Sequence, residues 1–312
     1  MDKETYQKKL YYSCKDTYSD HWETTAPVPP KIMFELTNAC NHRCIFCANR
    51  QMTRKIGYLK QSVFSKIADE AFDLGVREIA LYTTGESLLH PEIVDFVQVA
   101  KRKGFTYIYL STNGALLTPE LSRKLIQAGL DSLRISMNAA TRSSYKKIHG
   151  RDDFERVIEN IRQYDSIRRE MGNNILFSAS CVLTKSNVND KEKLEELLNP
   201  YLDVIKWTEV RIQGGLMVDT IRKLALKEND ARYCLKPCGL LWNGMHVDYE
   251  GNLTLCCVDF NGEILVGNVL NKGLLACWNG SEMQEHRHLH LSQALSPGSL
   301  CYKCLTGNNH SD

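Results

Sequence analysis

The chain has 312 residues, of which 39 are Lys or Arg and 37 are Asp or Glu, leaving a formal charge of +2. At about 150 residues a domain, this length predicts two domains, and the near balance of charge gives no electrostatic footprint for nucleic acid or an acidic membrane. No apolar run nears the roughly 18 residues of a membrane span, and the segment MDKETYQKKL lacks a signal-peptide core. We therefore expect a cytoplasmic protein.

Strand and helix patterns alternate after a polar N-terminal extension, residues 1–30. Strands are predicted at residues 31–37, 78–83, 106–111, 132–137, 175–183 and 205–212, and helices at residues 62–74, 91–103, 119–128, 138–171 and 190–198. Six strands in series with intervening helices predict a parallel sheet with right-handed crossovers.

The first domain, residues 31–215, is short for a complete eight-stranded barrel, so a partial (β/α)6 TIM-like barrel fits better. An open doubly wound sheet is the alternative. In both folds the active groups lie at the carboxyl ends of the strands. After a linker at 216–233, residues 234–312 predict a small domain with a hairpin around Glu250-Gly251-Asn252, a helix at about 273–291 and an irregular tail.

The chain contains twelve cysteines. Because cytosolic thiols stay reduced, a disulfide framework is not expected. The remaining explanations are metal ligation, redox chemistry and inert buried thiols. Cys40, Cys44 and Cys47 lie within eight residues after the first strand. Structural zinc needs four ligands, and His42 would strain this tight loop to supply the fourth. Three thiolates suit a [4Fe–4S] cluster with one open iron, with zinc or unliganded thiols as alternatives.

The segment Cys40-Asn41-His42-Arg43-Cys44-Ile45-Phe46-Cys47 resembles the cluster motif of the radical S-adenosylmethionine (SAM) superfamily, and the resemblance extends over residues 31–215. It implies that SAM binds the open iron and that an electron from the reduced cluster cleaves SAM. The resulting 5′-deoxyadenosyl radical then removes a hydrogen atom from the substrate. An electron donor such as flavodoxin or ferredoxin is implied, while the protein itself supplies positioning and exclusion of water.

The same resemblance implies a set of SAM contacts. Thr84-Gly85-Glu86 resembles the Gly-Gly-Glu segment that holds the SAM amino group, with Thr84 as a departure, and Glu86 would accept a hydrogen bond from the ammonium. The other implied contacts are Phe46 beside adenine, and Ser111, Asn113, Ser136 and Asn138 with the ribose or carboxylate. Gln213, at the end of the sixth strand, is expected to face the pocket.

Cys238, Cys256, Cys301 and Cys304 have the spacing C-x17-C-x44-C-x2-C, and four thiolates would saturate either a zinc ion or a second [4Fe–4S] cluster. With the hairpin, Gly267-Asn268-Val269 and Trp278, this region is similar to a shortened SPASM, or twitch, domain, which holds one auxiliary [4Fe–4S] cluster. The spacing resembles that of 2-deoxy-scyllo-inosamine dehydrogenase. Neighbouring strand residues face opposite sides, so either Cys256 or Cys257 is the ligand.

The leading interpretation is a radical SAM oxidoreductase that oxidises a secondary alcohol of a small sugar or aminocyclitol to a ketone, with the auxiliary cluster as electron acceptor. The sequence does not identify the catalytic base. An epimerase is the alternative, with Cys257, Cys181 or Cys234 as hydrogen donor. A peptide maturase is disfavoured because the N-terminal extension is too short for a peptide-binding domain.

The non-enzyme alternative is a zinc-stabilised binding protein. One further pattern concerns the C-terminal region, where His286, His288 and His290 alternate. These histidines are expected on a solvated helix face.

Overall fold

The computed structural model describes residues 22–172, 174–226 and 236–306. Within these ranges one sheet holds all named strands, in the order β6-β5-β4-β3-β2-β1-β7-β8-β9. The strands are β1 Lys31–Phe34, β2 Glu78–Ala80, β3 Tyr107–Thr112, β4 Ser132–Ser136, β5 Leu176–Leu183, β6 Val204–Glu209, β7 Met245–Val247, β8 Asn252–Thr254 and β9 Leu265–Asn268.

Strands β1 to β6 are all parallel and follow one another in the sheet without a reversal. A doubly wound sheet would reverse its strand order at a switch point, so this order excludes that alternative. The predicted partial (β/α)6 barrel is confirmed. It brings the carboxyl ends of all six strands to one edge, where functional groups collect in this architecture.

Local sequence signals explain where several barrel helices begin and end. Thr118 accepts a hydrogen bond from the Leu121 N–H ahead of Pro119, which is a standard N-terminal cap. Gly104 and Gly129 end their helices at φ values of 108° and 93°, a left-handed conformation that glycine adopts without steric cost. The helices of the barrel are Gln61–Asp73, Ile93–Lys103, Pro119–Ala128, Arg142–His149, Phe154–Glu170 and Lys191–Leu198.

The C-terminal region extends the barrel sheet. β7 pairs in parallel with β1, with Met33 opposite His246, and β8 and β9 then add antiparallel strands. The predicted hairpin is present, while its pairing with β1 was not expected from sequence. The segment predicted as a linker contains the helix Val218–Leu224. The helices of the C-terminal region are Leu240–Asn243, Val269–Lys272, Leu274–Trp278, Ser281–Leu291 and Leu300–Thr306.

Three helical expectations need correction. The helix predicted at 138–171 is two helices, divided at Gly150, where a Cβ atom would lie 2.8 Å from the Arg43 carbonyl oxygen. The helix predicted at 273–291 is broken before Ser281. The tail expected to be irregular contains the helix Leu300–Thr306, which places Cys301 and Cys304 three residues apart on one helix face.

The alternating histidines do not share a solvated face, contrary to expectation. His290 is 1% exposed and lies on the buried side of the helix Ser281–Leu291. Arg287 beside it is fully buried, with its guanidinium carbon 4.3 Å from the centre of the Trp278 ring. Among the described residues, the search for a helix long and apolar enough to span a bilayer finds none.

Burial of His246 predicts a loss of stability in mild acid. The side chain on β7 is 2% exposed, neither ring nitrogen has a hydrogen-bond partner, and burial lowers its pKa to about 3. The unfolded chain, with a pKa of about 6.5, binds the proton first, so stability falls as the pH drops below about 6.5. At pH 5.5 this one group should cost about 1.4 kcal/mol.

The variant His246→Met should lack the share of the acid-induced fall in unfolding free energy that His246 causes. Urea unfolding at pH 7.5 and pH 5.5 measures it, and His288→Gln, at an exposed position of the helix Ser281–Leu291, is the control. An equal loss in wild type and His246→Met would contradict the assignment.

Candidate active site

The first three cysteines lie on the loop that follows β1, with their thiols close together. Burial raises the pKa of Cys40 to about 12, and Cys47 adds to that rise. Burial raises the pKa of Cys44 well above its ordinary value, and both Cys47 and Cys40 contribute. Neighbouring thiolates repel one another, so each of these thiols disfavours ionisation of the others. Bound iron ions offset this repulsion and stabilise the thiolates, as in an iron–sulfur site.

Backbone hydrogen bonds on both sides of Cys44 hold this loop to the barrel. The Arg43 N–H donates to the His149 carbonyl at 3.0 Å, and the Ile45 N–H donates to the Ile148 carbonyl at 2.9 Å. The cysteine loop is therefore fixed against the C-terminal end of the helix Arg142–His149.

His42 lies within the cysteine loop, but its side chain is directed toward the helix Arg142–His149. Its Nε2 atom is 3.0 Å from the Tyr145 hydroxyl and 3.5 Å from the Asp153 carboxylate. The structure therefore does not place His42 as a fourth ligand. In the described ranges, no three His, Cys, Asp or Glu side chains converge to hold a single metal ion. A cubane does not require convergence, because each thiolate binds a different iron.

The segment Thr84–Glu86 runs directly against the cysteine loop. The Glu86 N–H donates to the Ala39 carbonyl at 2.7 Å. A Cβ atom on Gly85 would collide with the carbonyl oxygens of Thr37 and Ala39, the latter at 2.6 Å. Glycine is thus required here by a close approach of two backbone segments.

The substitution Gly85→Ala should displace the cysteine loop, because carbonyl oxygens of the backbone cannot yield as a flexible side chain would. We expect about 1–3 kcal/mol of destabilisation, as for other overpacked interior sites, together with weaker SAM binding. Urea unfolding and equilibrium dialysis with SAM measure the two effects. Gly298→Ala is the matched control, since nothing lies within 4 Å of its Cβ position. Equal behaviour of the two variants would contradict the expectation.

Glu86 is held rigidly beside Cys40. Its buried carboxylate accepts hydrogen bonds from the Thr112 hydroxyl at 2.6 Å and the Asn113 N–H at 2.7 Å. Burial raises the pKa of Glu86, and these hydrogen bonds act in the opposite direction. Thr84, which departs from the family pattern, donates its hydroxyl proton to the Glu35 carboxylate.

The remaining predicted SAM contacts lie at the carboxyl ends of β3 and β4, and two of them are braced by other residues. Asn113 donates from Nδ2 to the Asn41 side chain at 2.7 Å, inside the cysteine loop. Asn138 accepts from the Val182 N–H at 2.7 Å. Ser111 and Ser136 are half-buried. Direct contact of these residues with SAM stays a prediction.

A cavity of about 220 Å³ opens beside the first cysteine cluster. It is lined by Phe46, Cys47, Val182, Thr208, Glu209, Val210, Arg211 and Gln213. Phe46 and Gln213 were predicted from sequence, whereas Glu209 and Arg211 were missed, although both lie at or just beyond the end of the sixth strand. Cys181 is fully buried in the hydrophobic core, so it does not line this cavity as its neighbour Val182 does.

The second cysteine set is assembled from the β8 end and the last helix. Burial raises the pKa of Cys256 well above its ordinary value, with contributions from Cys257, Cys301 and Cys304. Burial raises the pKa of Cys301 to about 12, and Cys304 adds to it. Cys256 is buried and Cys257 half-buried, so both remain candidate ligands.

Cys238, the first predicted ligand of the second set, contacts a histidine of the helix Ser281–Leu291. Cys238 donates its backbone N–H to Nδ1 of His290 at 3.3 Å. This hydrogen bond satisfies one ring nitrogen of the buried histidine. Cys234, a hydrogen-donor candidate from sequence, lies outside the described residues.

The second cysteine set adjoins the wall of the cavity. The Cys304 thiol donates to the Ile212 carbonyl oxygen at 3.8 Å, one residue before Gln213. Gly214, at a φ of 58°, would place a Cβ atom 2.5 Å from the Val258 carbonyl oxygen. The glycines after β6 thus allow the cysteine-bearing elements to pack directly behind the cavity.

Arg54 connects the barrel to the C-terminal region. Its guanidinium donates to both oxygens of the Glu35 carboxylate, and its Nε donates to the Phe260 carbonyl at 2.8 Å. Asp248 lies 3.9 Å away on the hairpin. These side chains border a second, small cavity of about 10 Å³ that also contacts Cys256 and Cys257.

A partial parallel barrel with three half-buried cysteines at its carboxyl edge, and a second cysteine set beyond it, is typical of an iron–sulfur enzyme. The family model described as the radical SAM superfamily matches residues 34–198, and the chain belongs to this superfamily. A second model, described as an iron–sulfur cluster-binding domain of the SPASM type, matches residues 238–305. The protein is a radical SAM enzyme whose cofactors are SAM and [4Fe–4S] clusters, as the sequence predicted.

Curated relatives cover part of the chain. A protein of Saccharolobus solfataricus named "Probable GTP 3′,8-cyclase" is 38% identical over 127 residues, which are 41% of this chain and 41% of that protein. A "GTP 3′,8-cyclase" of Chlorobaculum tepidum is 35% identical over 127 residues, or 40% of this chain and 38% of that protein. The matches thus span about two fifths of these relatives.

Solved structures share the fold over most of the chain. BtrN in complex with AdoMet and 2-DOIA has a TM-score of 0.60 and 18% identity, covering 92% of this chain and 99% of that chain. Streptococcus suis SuiB bound to the precursor peptide SuiA has a TM-score of 0.66 and 15% identity, covering 83% of this chain and 66% of that chain.

Proposed function

We propose that this protein is a radical SAM oxidoreductase that oxidises a secondary alcohol of a small sugar or aminocyclitol to a ketone. The proposed ligands of the SAM-binding cluster are Cys40, Cys44 and Cys47. Those of the auxiliary cluster are Cys238, Cys256, Cys301 and Cys304. When bound, the first cluster supplies, with SAM, the radical that removes a hydrogen atom from the substrate.

The observation that carries this proposal is the position of the second cysteine set behind the cavity. Oxidation of an alcohol after hydrogen abstraction releases one proton and one electron, so the site needs an acceptor for each. Cys304 packs against Ile212, next to cavity residue Gln213, and this neighbourhood supports the proposal of an auxiliary electron acceptor near the substrate. We assign proton acceptance to Glu209, a carboxylate among the residues that line the cavity.

The volume of the cavity and three polar side chains in its lining support a small polar substrate. At about 220 Å³ it is below the usual range of about 300–1,000 Å³ for ligand pockets. Thr208, Arg211 and Gln213 supply donors and acceptors for hydroxyl groups. An electron donor such as flavodoxin or ferredoxin would reduce the first cluster.

The experiment is anaerobic incubation of the reduced protein with SAM and a panel of sugars and aminocyclitols, followed by mass spectrometry. Dehydrogenation gives a product two hydrogens lighter, formed together with 5′-deoxyadenosine. An epimerase product keeps the mass of the substrate in ordinary water and gains deuterium in heavy water, so that pattern would replace the proposal.

A second candidate is nucleotide cyclisation, which rests on the curated relatives named GTP 3′,8-cyclase. Their 38% identity over 127 residues concerns only part of either chain. The same incubation with GTP tests this candidate, and a precursor peptide in a third arm tests peptide modification. Consumption of GTP, with no change in any polyol, would overturn the oxidoreductase proposal.

A further inference from the structure

His149 contacts one of the proposed cluster ligands. It is the last residue of the helix Arg142–His149 and is 1% exposed. Its Nδ1 atom lies 3.6 Å from the Cys44 sulfur, within hydrogen-bond distance for a sulfur acceptor. Either ring nitrogen of a neutral histidine can carry the proton, so the direction of this bond depends on the tautomer.

The protein backbone decides the tautomer. The N–H of Asn138 donates to Nε2 of His149 at 3.2 Å. A backbone amide nitrogen can only donate, so Nε2 must present its lone pair. In the neutral ring the proton is then on Nδ1, and Nδ1–H points to the Cys44 sulfur.

The orientation of this ring is fixed from several sides. The Tyr145 ring stacks on it with centroids 4.1 Å apart and an interplanar angle of 18°. The backbone hydrogen bonds from Arg43 and Ile45 hold Cys44 against the end of the same helix. Ring and sulfur therefore belong to one rigid unit.

We propose that His149 is a positioning residue that donates an N–H···S hydrogen bond to the Cys44 thiolate and raises the reduction potential of the bound cluster. Reduction adds negative charge, part of which resides on the ligand sulfurs, and a donor aimed at that sulfur stabilises the reduced form more than the oxidised form. This inference rests on the proposed ligand role of Cys44. The inference adds a residue that influences how readily the SAM-binding cluster is reduced before it cleaves SAM.

Two amide variants separate the donor role from the structural role. His149→Gln extends to the Nε2 position and can keep an acceptor for the Asn138 N–H, but it offers no donor at the Nδ1 position. His149→Asn is shorter and places its amide N–H near the Nδ1 position, facing Cys44.

The test is a redox titration of the holoenzyme followed by electron paramagnetic resonance. At a fixed applied potential, His149→Gln should show about a tenfold lower ratio of reduced to oxidised SAM-binding cluster, equivalent to about −59 mV for a one-electron couple. His149→Asn should remain near wild type. An unchanged ratio in His149→Gln, or equal shifts in both variants, would overturn the inference.

A second measurement needs no variant. Protein labelled with ¹⁵N-histidine should show a ¹⁵N coupling to the reduced SAM-binding cluster in pulsed paramagnetic resonance, and lack of any coupling would also overturn the inference. A wrong assignment of the cluster to the cysteine loop gives a different result from a wrong role for His149. If the cluster assignment is wrong, the variant Cys44→Ala retains its full iron content. If Cys44→Ala loses the cluster while His149→Gln leaves the potential unchanged, only the role of His149 is refuted.

Discussion

Replacing Cys44 with Ala is expected to abolish the release of 5′-deoxyadenosine from SAM. With two thiolates left in the loop, the first cluster should not assemble, and iron content should fall from about eight to about four atoms per chain. The second cysteine set is separate in the fold, so its cluster should remain. Iron analysis of anaerobically reconstituted protein and chromatography of the nucleoside product measure both effects.

Cys277→Ala is the matched control for this loss. Cys277 is 1% exposed in the core of the C-terminal region and approaches the Gly267 position, away from both cysteine sets. Its removal should leave iron content and 5′-deoxyadenosine release unchanged. If Cys44→Ala kept its full iron and its activity, the assignment of the first cluster to this loop would be wrong.

Replacing Arg54 with Ala is expected to lower the free energy of unfolding by about 3–5 kcal/mol, the usual loss when one partner of a buried ion pair is removed. The Glu35 side chain is 3% exposed and would be left as an uncompensated charge. The Phe260 carbonyl would also lose its donor. Urea unfolding followed by circular dichroism measures the loss.

A surface ion pair supplies the control for Arg54. Arg123 pairs with Glu170 at 3.0 Å, but both side chains are largely exposed. Arg123→Ala should therefore change stability by less than about 1 kcal/mol. Similar losses in Arg54→Ala and Arg123→Ala would show that the connection between the barrel and the C-terminal region does not depend on this buried pair.

Much of the architecture is encoded in local sequence. Apolar residues that recur every 2 or every 3.6 positions predicted six strands with intervening helices. These periods arise because the face of a strand or helix that packs against the core must be apolar. The spacing of Cys40, Cys44 and Cys47 favoured a [4Fe–4S] site over zinc, and the resemblance of the whole motif to the radical SAM superfamily then indicated the cofactors. Glycines at helix ends carried information because few other residues adopt a left-handed backbone.

The tertiary structure alone decided how distant segments meet. The pairing of β7 with β1, the contact of Arg54 with Glu35, and the position of Cys304 behind Ile212 all join residues far apart in the chain. The bond from His149 to Cys44 is of the same kind, since it spans 105 residues and its direction follows from the backbone of Asn138. Such contacts leave no periodic signal, because they depend on the path of the whole chain rather than on the spacing of neighbouring residues.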